Sequence, residues 1–382
     1  MTIETTPPAV ALEPQPAQSQ FPDATAVLQQ AISERAFPGC CFGVLAQDQI
    51  LAPQALGTFT YDRGSPAVQP STVFDIASIT KVVATTAAVM LLNQRGALDL
   101  DTPLGELLPG FIVGREPGSF ARHIKVRHLL AHNSGLPGYV DFFRQHHSHL
   151  GLMRACLELR IQTAPGSRFE YSDPGFILLG KALEVLTGEP LGVFVDREIF
   201  RPLGMTSTNY HPAASQRPLI PPTEDDTTFR QRVIQGEVQD ENAFVLNGCA
   251  GHAGLFSNVR DLLLFSSEVL AAGGGKGRIF EPDTLRYFAE RQVPEGTSRA
   301  LGWDTPSENS SSGKHFSANS IGHLGYSGCS LWIDLDAHIA IVLLTNRTWP
   351  DRASDLIRLV RPAFHDAIRE ALHVILPSRL TE

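Results

Sequence analysis

Segments with strand-like alternation cluster near the two ends of this 382-residue chain, and this placement constrains the fold more than any other feature. Near the amino end, residues 41–46 and 50–60 are typical of a hairpin. Near the carboxyl end, residues 321–327, 330–335 and 338–346 are typical of strands. The segments between the two ends are mostly helical by their apolar spacing. The pattern predicts an α+β fold, in which both chain ends build one antiparallel sheet with flanking helices and the middle forms an inserted, mostly helical lobe.

Several segments between and beside these strands are predicted to be helices. The run that follows Ser78 is apolar over residues 81–92 and long enough for a buried helix. Asp173 and Pro174, as N-cap and first-turn residue, predict the start of a helix over residues 175–186. Residues 212–241 predict a long polar connection. The other predicted helices cover residues 23–34, 124–133, 150–160, 261–270 and about 352–372.

We expect one catalytic domain over residues 23–376, preceded by a disordered tail at residues 1–22 that is rich in Pro, Ala and Gln. The sheet lobe would consist of about residues 23–75 and 300–376, and the helical lobe of about residues 76–299. Active sites commonly lie between two such lobes.

The composition excludes several classes of function. A net charge of −9 argues against nucleic acids and anionic membranes as partners. The five cysteines do not resemble a disulfide framework, and no spacing resembles a zinc site, so we expect no metal and no cofactor. Neither a signal peptide nor an apolar run of about eighteen residues is visible. We therefore expect a cytoplasmic protein that acts on a small molecule, with its oligomeric state open.

The pattern Ser78-x-x-Lys81 stands at the start of the apolar helix. A serine hydroxyl is a weak nucleophile until a base takes its proton. Side chains three residues apart share one helix face, so Lys81 is expected beside Ser78, where burial would lower the pKa of the lysine and let it act as that base. The helix start also offers N–H groups to a developing oxyanion. The structural alternative is a serine N-cap followed by a lysine that reaches solvent.

The same letters recur at Ser311-x-x-Lys314. The preceding residues 307–310 are polar and typical of a solvated loop rather than a helix start, so no site is expected there.

Tyr171 and Asp173 stand just before the predicted helix of residues 175–186. A tyrosine beside a cationic lysine can ionise and act as a base or proton shuttle. Tyr171 is therefore a second candidate base. A packing role for Tyr171, with Asp173 as a plain helix cap, is the alternative.

Glycines interrupt the predicted strand of residues 321–327. A glycine weakens a strand unless something must approach its backbone closely. We expect Gly325 to let a substrate carbonyl reach the N–H of Tyr326, and a β-bulge is the structural alternative.

The ordered set Ser78-x-x-Lys81, Tyr171-Ser172-Asp173 and His323-Leu324-Gly325 resembles the penicillin-recognising serine hydrolases. The resemblance is to the group of class C β-lactamases, DD-peptidases and family VIII esterases, and it covers roughly residues 23–370. Further similar segments are residues 128–137, 200–205, 250–257 and 330–334.

This resemblance implies a role for each residue. Ser78 would be the acylated nucleophile, and Lys81 and Tyr171 would share the work of general base, with the proton acceptor left open. The backbone N–H groups of Ser78 and Tyr326 would form the oxyanion hole. His323 would face the substrate at a position where the family more often has lysine.

Two positions depart from the family pattern. Asp173 stands where the family usually has asparagine, and an ionised carboxylate can only accept hydrogen bonds. Leu324 replaces a hydroxyl that would help to hold a substrate carboxylate. With a mostly neutral His323 as well, we expect the site to bind a second anion poorly and to prefer neutral short-chain esters.

The predicted function is a serine hydrolase that forms an acyl-enzyme on ester or amide bonds, and a carboxylesterase is the first choice. A β-lactamase or D-amino-acid peptidase is the alternative, and a homologue that binds a ligand without turnover is the alternative from another class. An α/β-hydrolase is disfavoured because residues 325–329 do not complete the pattern G-x-S-x-G. Residues 146–149 are rich in histidine, but no nearby motif completes a metal site.

Overall fold

The structure is a computed structural model that describes residues 20–375. Most of the predicted tail, residues 1–19, lies outside the described residues, as do residues 376–382. The strands are β1 (Gly39–Ala46), β2 (Gln49–Gly57), β3 (Phe74–Asp75), β4 (Glu224–Asp226), β5 (Arg232–Ile234), β6 (Phe256–Ser257), β7 (Ser320–Leu324), β8 (Ser330–Asp334) and β9 (Ile339–Thr345).

One antiparallel sheet of five strands, in the order β2-β1-β9-β8-β7, joins the two ends of the chain. β1 pairs with β2 on one side and with β9 on the other, where Phe42 lies opposite Leu343. The sheet and the α+β class are therefore confirmed as predicted. The expected strands form with small differences at their ends: β2 stops at Gly57 and β7 stops at Leu324.

Helices make up most of the remaining structure. The α-helices are α1 (Pro22–Ser33), α2 (Ala87–Gln94), α3 (Leu104–Leu107), α4 (Val126–Leu130), α5 (His149–Leu157), α6 (Asp173–Thr187), α7 (Leu191–Val195), α8 (Arg201–Leu203), α9 (Glu241–Val245), α10 (Val259–Gly273), α11 (Pro282–Ala289) and α12 (Ile357–Ile375).

Helices cover both faces of the sheet. α1 and α12 pack on one face, where Phe42, Trp332 and Phe364 belong to one buried cluster. α10 packs on the other face, so closely that a Cβ atom on Gly43 would lie 2.5 Å from a methyl carbon of Val259. Because both faces are covered, β9 is apolar along nearly its whole length and does not alternate. By its packing α10 belongs to the sheet layers, although it lies within residues 76–299, which were predicted to form the helical lobe.

The apolar run after Ser78 is buried as predicted, but it is not a single α-helix. A 3-10 turn covers Ala77–Ile79, a π-helical segment covers Lys81–Thr86, and α2 follows. π-helical turns appear frequently at functional sites. This segment begins where the end of β7 and the start of α6 approach each other.

Some elements differ from the sequence prediction. The connection at residues 212–241 contains the hairpin of β4 and β5, whose turn is held by the Asp226 carboxylate through N–H bonds from residues 228–230. A turn held by side-chain hydrogen bonds does not change the spacing of apolar residues, so that spacing did not predict this hairpin. α11 was not predicted, and α12 begins at Ile357, later than the expected position near residue 352.

Candidate active site

Three segments bring the predicted site residues together between the sheet and the helices. Ser78 and Lys81 come from the start of the buried helical run, and Tyr171 and Asp173 from the start of α6. Tyr326 follows the end of β7. Ser78, Tyr171 and Tyr326 all line the same two adjoining cavities.

Lys81 is fully buried beside Ser78. Its Nζ atom donates one hydrogen bond to Ser78 Oγ over 2.9 Å and another to the His252 carbonyl over 3.0 Å. The Asp173 carboxylate forms an ion pair with the same Nζ atom at 2.6 Å. A buried cation needs partners of this kind, because it has lost its hydration. The serine and the lysine are therefore in direct contact, and the lysine is held from three directions.

The pKa of Lys81 is shifted in the direction opposite to the expectation. Burial by itself lowers this pKa, but the Asp173 carboxylate and Tyr171 outweigh burial and raise it above its ordinary value. The expected low pKa of Lys81 was therefore wrong, because the sequence did not reveal its carboxylate partner. At neutral pH Lys81 is an ammonium that donates toward Ser78 and cannot accept a proton from it.

Asp173 is not the cap of α6. The cap is Ser172, whose Oγ accepts the N–H of Gly175 over 3.1 Å. The carboxylate of Asp173 is used in the ion pair with Lys81, so its negative charge is balanced. Asp173 is therefore paired and does not present an isolated negative charge to the cleft.

Tyr171 stands between charged and aromatic neighbours. Lys81 Nζ lies 5.0 Å from the centre of its ring, and the guanidinium carbon of Arg299 lies 5.2 Å from it. The ring of His132 packs against Tyr171 at a tilt of 31°, with centroids 4.4 Å apart, and its Nδ1 accepts the N–H of Ser172 over 2.9 Å. His132 thus supports the Tyr171 segment from behind. In the sequence, His132 is visible only as part of the family-like segment of residues 128–137, and nothing in its spacing predicts this contact.

His323 is buried on the wall of the second cavity. Its Nδ1 lies 2.8 Å from the carbonyl of Leu324, so that nitrogen donates and Nε2 is left as an acceptor. Burial, with smaller effects of Arg299 and Lys81, lowers the pKa of His323 well below its ordinary value. This agrees with the neutral histidine that we expected at this position.

Gly325 makes a close contact that the sequence did not predict. A Cβ atom on this residue would lie 2.5 Å from the backbone oxygen of Ile76, close to the Ser78 turn. The glycine therefore allows a close approach between two segments of the protein, and the approach of a substrate carbonyl to the Tyr326 N–H stays a prediction. The N–H of Tyr326 donates to none of the described residues, which leaves it available to a ligand.

The two cavities next to Ser78 differ in which charge predominates on their walls, although Arg352 also lines the first, and Asp304 and Asp355 also line the second. The first has a volume of about 350 Å³ and carries the carboxylates of Asp75, Asp173, Asp240 and Glu241. The second has a volume of about 420 Å³ and carries the guanidinium groups of Arg299, Arg347, Arg352, Arg358 and Arg361. The arginines lie outside every motif singled out from the sequence, because their grouping depends on how the carboxyl end of the chain packs beside β7.

Asp240 is another residue that sequence reasoning missed. Its Oδ1 accepts the N–H of Ala243 over 2.7 Å and lies 2.9 Å from Nε2 of His252. Burial alone would raise the pKa of Asp240, but His252 and the Ala243 N–H lower it to about 2. Asp240 therefore stays ionised and holds His252, whose carbonyl in turn binds Lys81.

Three other sequence features can be located in the structure. The second S-x-x-K copy lies in a turn beside α12, where the N–H of Lys314 donates to Asp366. Across residues 20–375, no group of three or more His, Cys, Asp or Glu side chains is arranged to hold a metal ion. Among the described helices, none is both long and apolar enough to cross a membrane.

Comparison with known proteins gives one consistent set of relatives. The sequence matches the protein family described as "Beta-lactamase" over residues 24–363. It is 32% identical over 346 residues to the Bacillus subtilis (strain 168) protein named "N-acetylmuramyl-L-alanine amidase", which covers 81% of this chain and 77% of that protein.

A second relative and a solved structure extend this comparison. An Escherichia coli (strain K12) protein named "Putative D-alanyl-D-alanine carboxypeptidase" is 30% identical over 344 residues, covering 81% of this chain and 79% of that protein. The solved structure "EstCE1, a hydrolase with promiscuous acyltransferase activity" superposes with a TM-score of 0.75 and 23% identity. It covers 92% of this chain and 99% of that one, and it bears on the fold alone.

Proposed function

Because the chain belongs to the Beta-lactamase family of serine hydrolases, we propose that it cleaves ester or amide bonds through an acyl-enzyme on Ser78. The observation that carries this proposal is the contact of Ser78 Oγ with the buried Lys81 ammonium, 2.9 Å away, on the wall of two cavities. A nucleophile in contact with its activating group is the arrangement that covalent catalysis needs.

Tyr171 is the residue to which we assign the serine proton. Lys81 is an ammonium in the resting site, because Asp173 raises its pKa, so it has no lone pair for that proton. Its charge instead stabilises the negative charge that develops on Ser78 Oγ during attack. Lys81 would then be the electrostatic partner of the base.

The N–H groups of Ser78 and Tyr326 are proposed to bind the oxyanion. The free N–H of Tyr326 supports this assignment, because a preorganised donor without another partner loses nothing when the substrate carbonyl arrives. Gly325 contributes by letting the end of β7 lie against the Ser78 turn.

We propose short-chain carboxylic esters as the first class of substrate. His323 is neutral, and Leu324 has no hydroxyl, so neither side chain holds a substrate carboxylate with a charge or an O–H bond. A neutral ester does not need such an anchor.

A peptide or amide that carries a carboxylate is the second candidate. The arginine-lined cavity supports it, since Arg347 and Arg358 have no carboxylate partner among the described residues and would attract an anion beside Ser78. The names of the two relatives, an amidase of N-acetylmuramyl-L-alanine and a putative D-alanyl-D-alanine carboxypeptidase, favour the same class.

A matched pair of substrates separates the two candidates. p-Nitrophenyl butyrate and p-nitrophenyl hemisuccinate have acyl groups of similar size and differ in one carboxylate, and a D-Ala-D-Ala peptide and a chromogenic cephalosporin complete the panel. We expect kcat/KM to be higher for the butyrate ester than for the other three substrates.

A faster reaction with the hemisuccinate or the peptide would replace the first candidate with the second. In that case Arg358→Gln should remove the preference while leaving hydrolysis of the butyrate unchanged. Failure of all four substrates together with failure of a fluorophosphonate to label Ser78 would indicate a homologue that binds without turnover.

A further inference from the structure

Asp75 is a buried carboxylate on the wall of the cavity that contains Ser78, and only 2% of the residue is exposed. One carboxylate oxygen accepts the N–H of Ala77 over 2.8 Å, and the other accepts the N–H of Gln239 over 2.8 Å. The backbone carbonyl of Asp75 accepts the hydroxyl of Ser327 over 2.7 Å. Three separate segments of the site are therefore bonded to one residue.

Each of these partners is the direct neighbour of a site residue. Ala77 precedes Ser78, Gln239 precedes Asp240, and Ser327 follows Tyr326. Ala77 also has φ of +47°, a left-handed conformation that an alanine adopts only where its surroundings hold it. The bond from its N–H to Asp75 is one contact that holds this turn.

We propose that Asp75 is a positioning residue for the hydrolysis proposed above, on which this inference rests. Its ionised carboxylate holds the Ser78 turn against the wall that carries Asp240, while its carbonyl holds the loop that carries the Tyr326 N–H. The nucleophile and one oxyanion donor thus keep the spacing that a single substrate carbonyl needs. Asp75 acts through Ala77, Gln239 and Ser327 and is not itself a catalytic group.

The position of Asp75 requires the ionised form, because both carboxyl oxygens face N–H donors. A protonated carboxyl turns one of these acceptors into a donor and opposes one of the two bonds. Burial raises the pKa of Asp75 to about 6, against the effect of the N–H bonds from Gln239 and Ala77. Activity should therefore have an acidic limb near pH 6 that belongs to this residue.

Other charged groups surround Asp75 and enter this pH dependence. Asp240 raises the pKa of Asp75 and Arg230 lowers it, and the Cys329 thiol lies 3.7 Å from the Asp75 carbonyl. The charged or titratable groups that share the cavity with it are Tyr139, Tyr171, Asp173, Glu241, Tyr326 and Arg352.

Protonation of Asp75 should lower the activity but raise the stability of the fold. The pKa of Asp75 is higher in the folded chain than in the unfolded chain, so the folded state binds more protons between the two values. In that window, from about pH 4 to about pH 6, acidification stabilises the fold through this group. The same acidification should weaken catalysis, which a purely structural role would not do.

The test compares Asp75→Asn with Asp261→Asn. Asp261 is a matched control because it is 1% exposed, accepts the N–H of Ser207 over 2.7 Å and the Thr208 hydroxyl over 3.0 Å, and lines neither cavity. The full chain is assayed with p-nitrophenyl butyrate between about pH 5 and pH 8. Thermal unfolding and fluorophosphonate labelling are followed in parallel.

We expect Asp75→Asn to lower kcat by about 10-fold to 100-fold at neutral pH, with little change in KM, and to abolish the acidic limb. Asp261→Asn should keep both the wild-type kcat and the limb. If Asp75→Asn stays within about twofold of Asp261→Asn, or keeps the limb, the inference is wrong.

A second variant decides the matter if Asp75→Asn does not fold. Ser327→Ala leaves the carboxylate intact and removes the hydroxyl bond to the Asp75 carbonyl, so kcat should fall several-fold while the acidic limb stays in place. An unchanged kcat would break the proposed link to Tyr326. If the wild-type chain is neither labelled on Ser78 nor active, the hydrolase proposal fails first and this inference falls with it.

Discussion

The letters S-x-x-K occur twice in this chain, and the two copies have different surroundings. At the first copy Lys81 is fully buried, and its Nζ lies 2.9 Å from Ser78 Oγ and 2.6 Å from the Asp173 carboxylate. At the second copy Lys314 is exposed and follows Gly313, whose φ is +81°. That turn directs the chain toward α12, where the Lys314 N–H and Asp366 are bonded.

The difference shows why a short motif has meaning only in its surroundings. The attraction between two charges is weak in water and several times stronger where water is excluded. Lys81 has lost its water and gained a carboxylate and a serine, whereas Lys314 keeps its water. The same two residue types can therefore support catalysis at one copy and serve only solubility at the other.

The largest expected effect comes from the two serines. Ser78→Ala should reduce turnover of p-nitrophenyl butyrate by about 10³-fold or more, because no other hydroxyl can form the acyl-enzyme. Ser311→Ala should leave turnover unchanged. Steady-state kinetics measure both variants, and circular dichroism checks that Ser78→Ala loses only about 1 kcal/mol of stability.

Mass spectrometry after fluorophosphonate treatment gives an independent check on the serines. The adduct should be found on a peptide that contains Ser78. An adduct on Ser311 would reverse the comparison between the two copies, and an adduct on Ser327 would exclude Ser78 as the nucleophile.

The second largest effect is expected from substitution of the two lysines. Lys81→Ala should lower the rate by about 10²-fold to 10⁴-fold and reduce the free energy of unfolding by roughly 3 kcal/mol, because it leaves Asp173 without its partner. Lys314→Ala should change the free energy of unfolding by less than about 0.5 kcal/mol. Urea unfolding and initial rates measure these quantities.

A double variant sharpens the comparison at the first copy. Tyr171→Phe alone should also cost about 10²-fold to 10⁴-fold, but Lys81→Ala with Tyr171→Phe should cost little more than either single change, because Lys81 assists the same proton transfer that Tyr171 carries out. A loss equal to the product of the single losses would exclude this shared role.

The smallest expected effect comes from removing the carboxylate that distinguishes Lys81 from Lys314. In Asp173→Asn the pKa of Lys81 should fall, because burial remains while the raising effect of the carboxylate is lost. We expect kcat to fall by about 10-fold. The alkaline limb of its pH profile should shift to lower pH, which a stopped assay over the pH range measures.

The raised pKa of Lys81 also determines how the stability of the fold depends on pH. The pKa of Lys81 is higher in the folded than in the unfolded chain, so its ion pair contributes fully below the unfolded value, about 10.4. The contribution is lost as the pH rises through the folded value. Wild-type stability should therefore show this loss at high pH and Asp173→Asn should not; identical profiles would contradict the assignment.

Much of the fold could be predicted, because the spacing of apolar residues along the chain indicates which faces of its helices and strands are buried. The hairpin near the amino end and the strands near the carboxyl end formed within a few residues of their expected bounds, since alternation and apolar runs reflect which faces are covered. The turn stabilised by Asp226 and the short helix α11 were missed, because side-chain bonds and short amphipathic segments leave a weak pattern.

The sequence predicted which residues form the candidate site, but it did not predict the electrostatic interactions between them. Spacing on a helical turn suggested that Ser78 and Lys81 would meet, and the structure places them in contact. The direction of the Lys81 pKa was wrong, because it depends on a carboxylate from α6, ninety-two positions away in sequence numbering, 173 − 81. The contact of Gly325 with the Ile76 oxygen was not predicted, because only packing reveals it.

The sequence by itself determined which residues are apolar, where helices and strands begin, and which reactive side chains share one turn, because each of these depends on neighbours within a few positions. The tertiary structure decided which charges meet. Asp173 beside Lys81, Asp75 between Ala77 and Gln239, and five arginines around one cavity are all contacts between distant segments. Electrostatic energies depend on distance and on the exclusion of water, and both are properties of the folded chain.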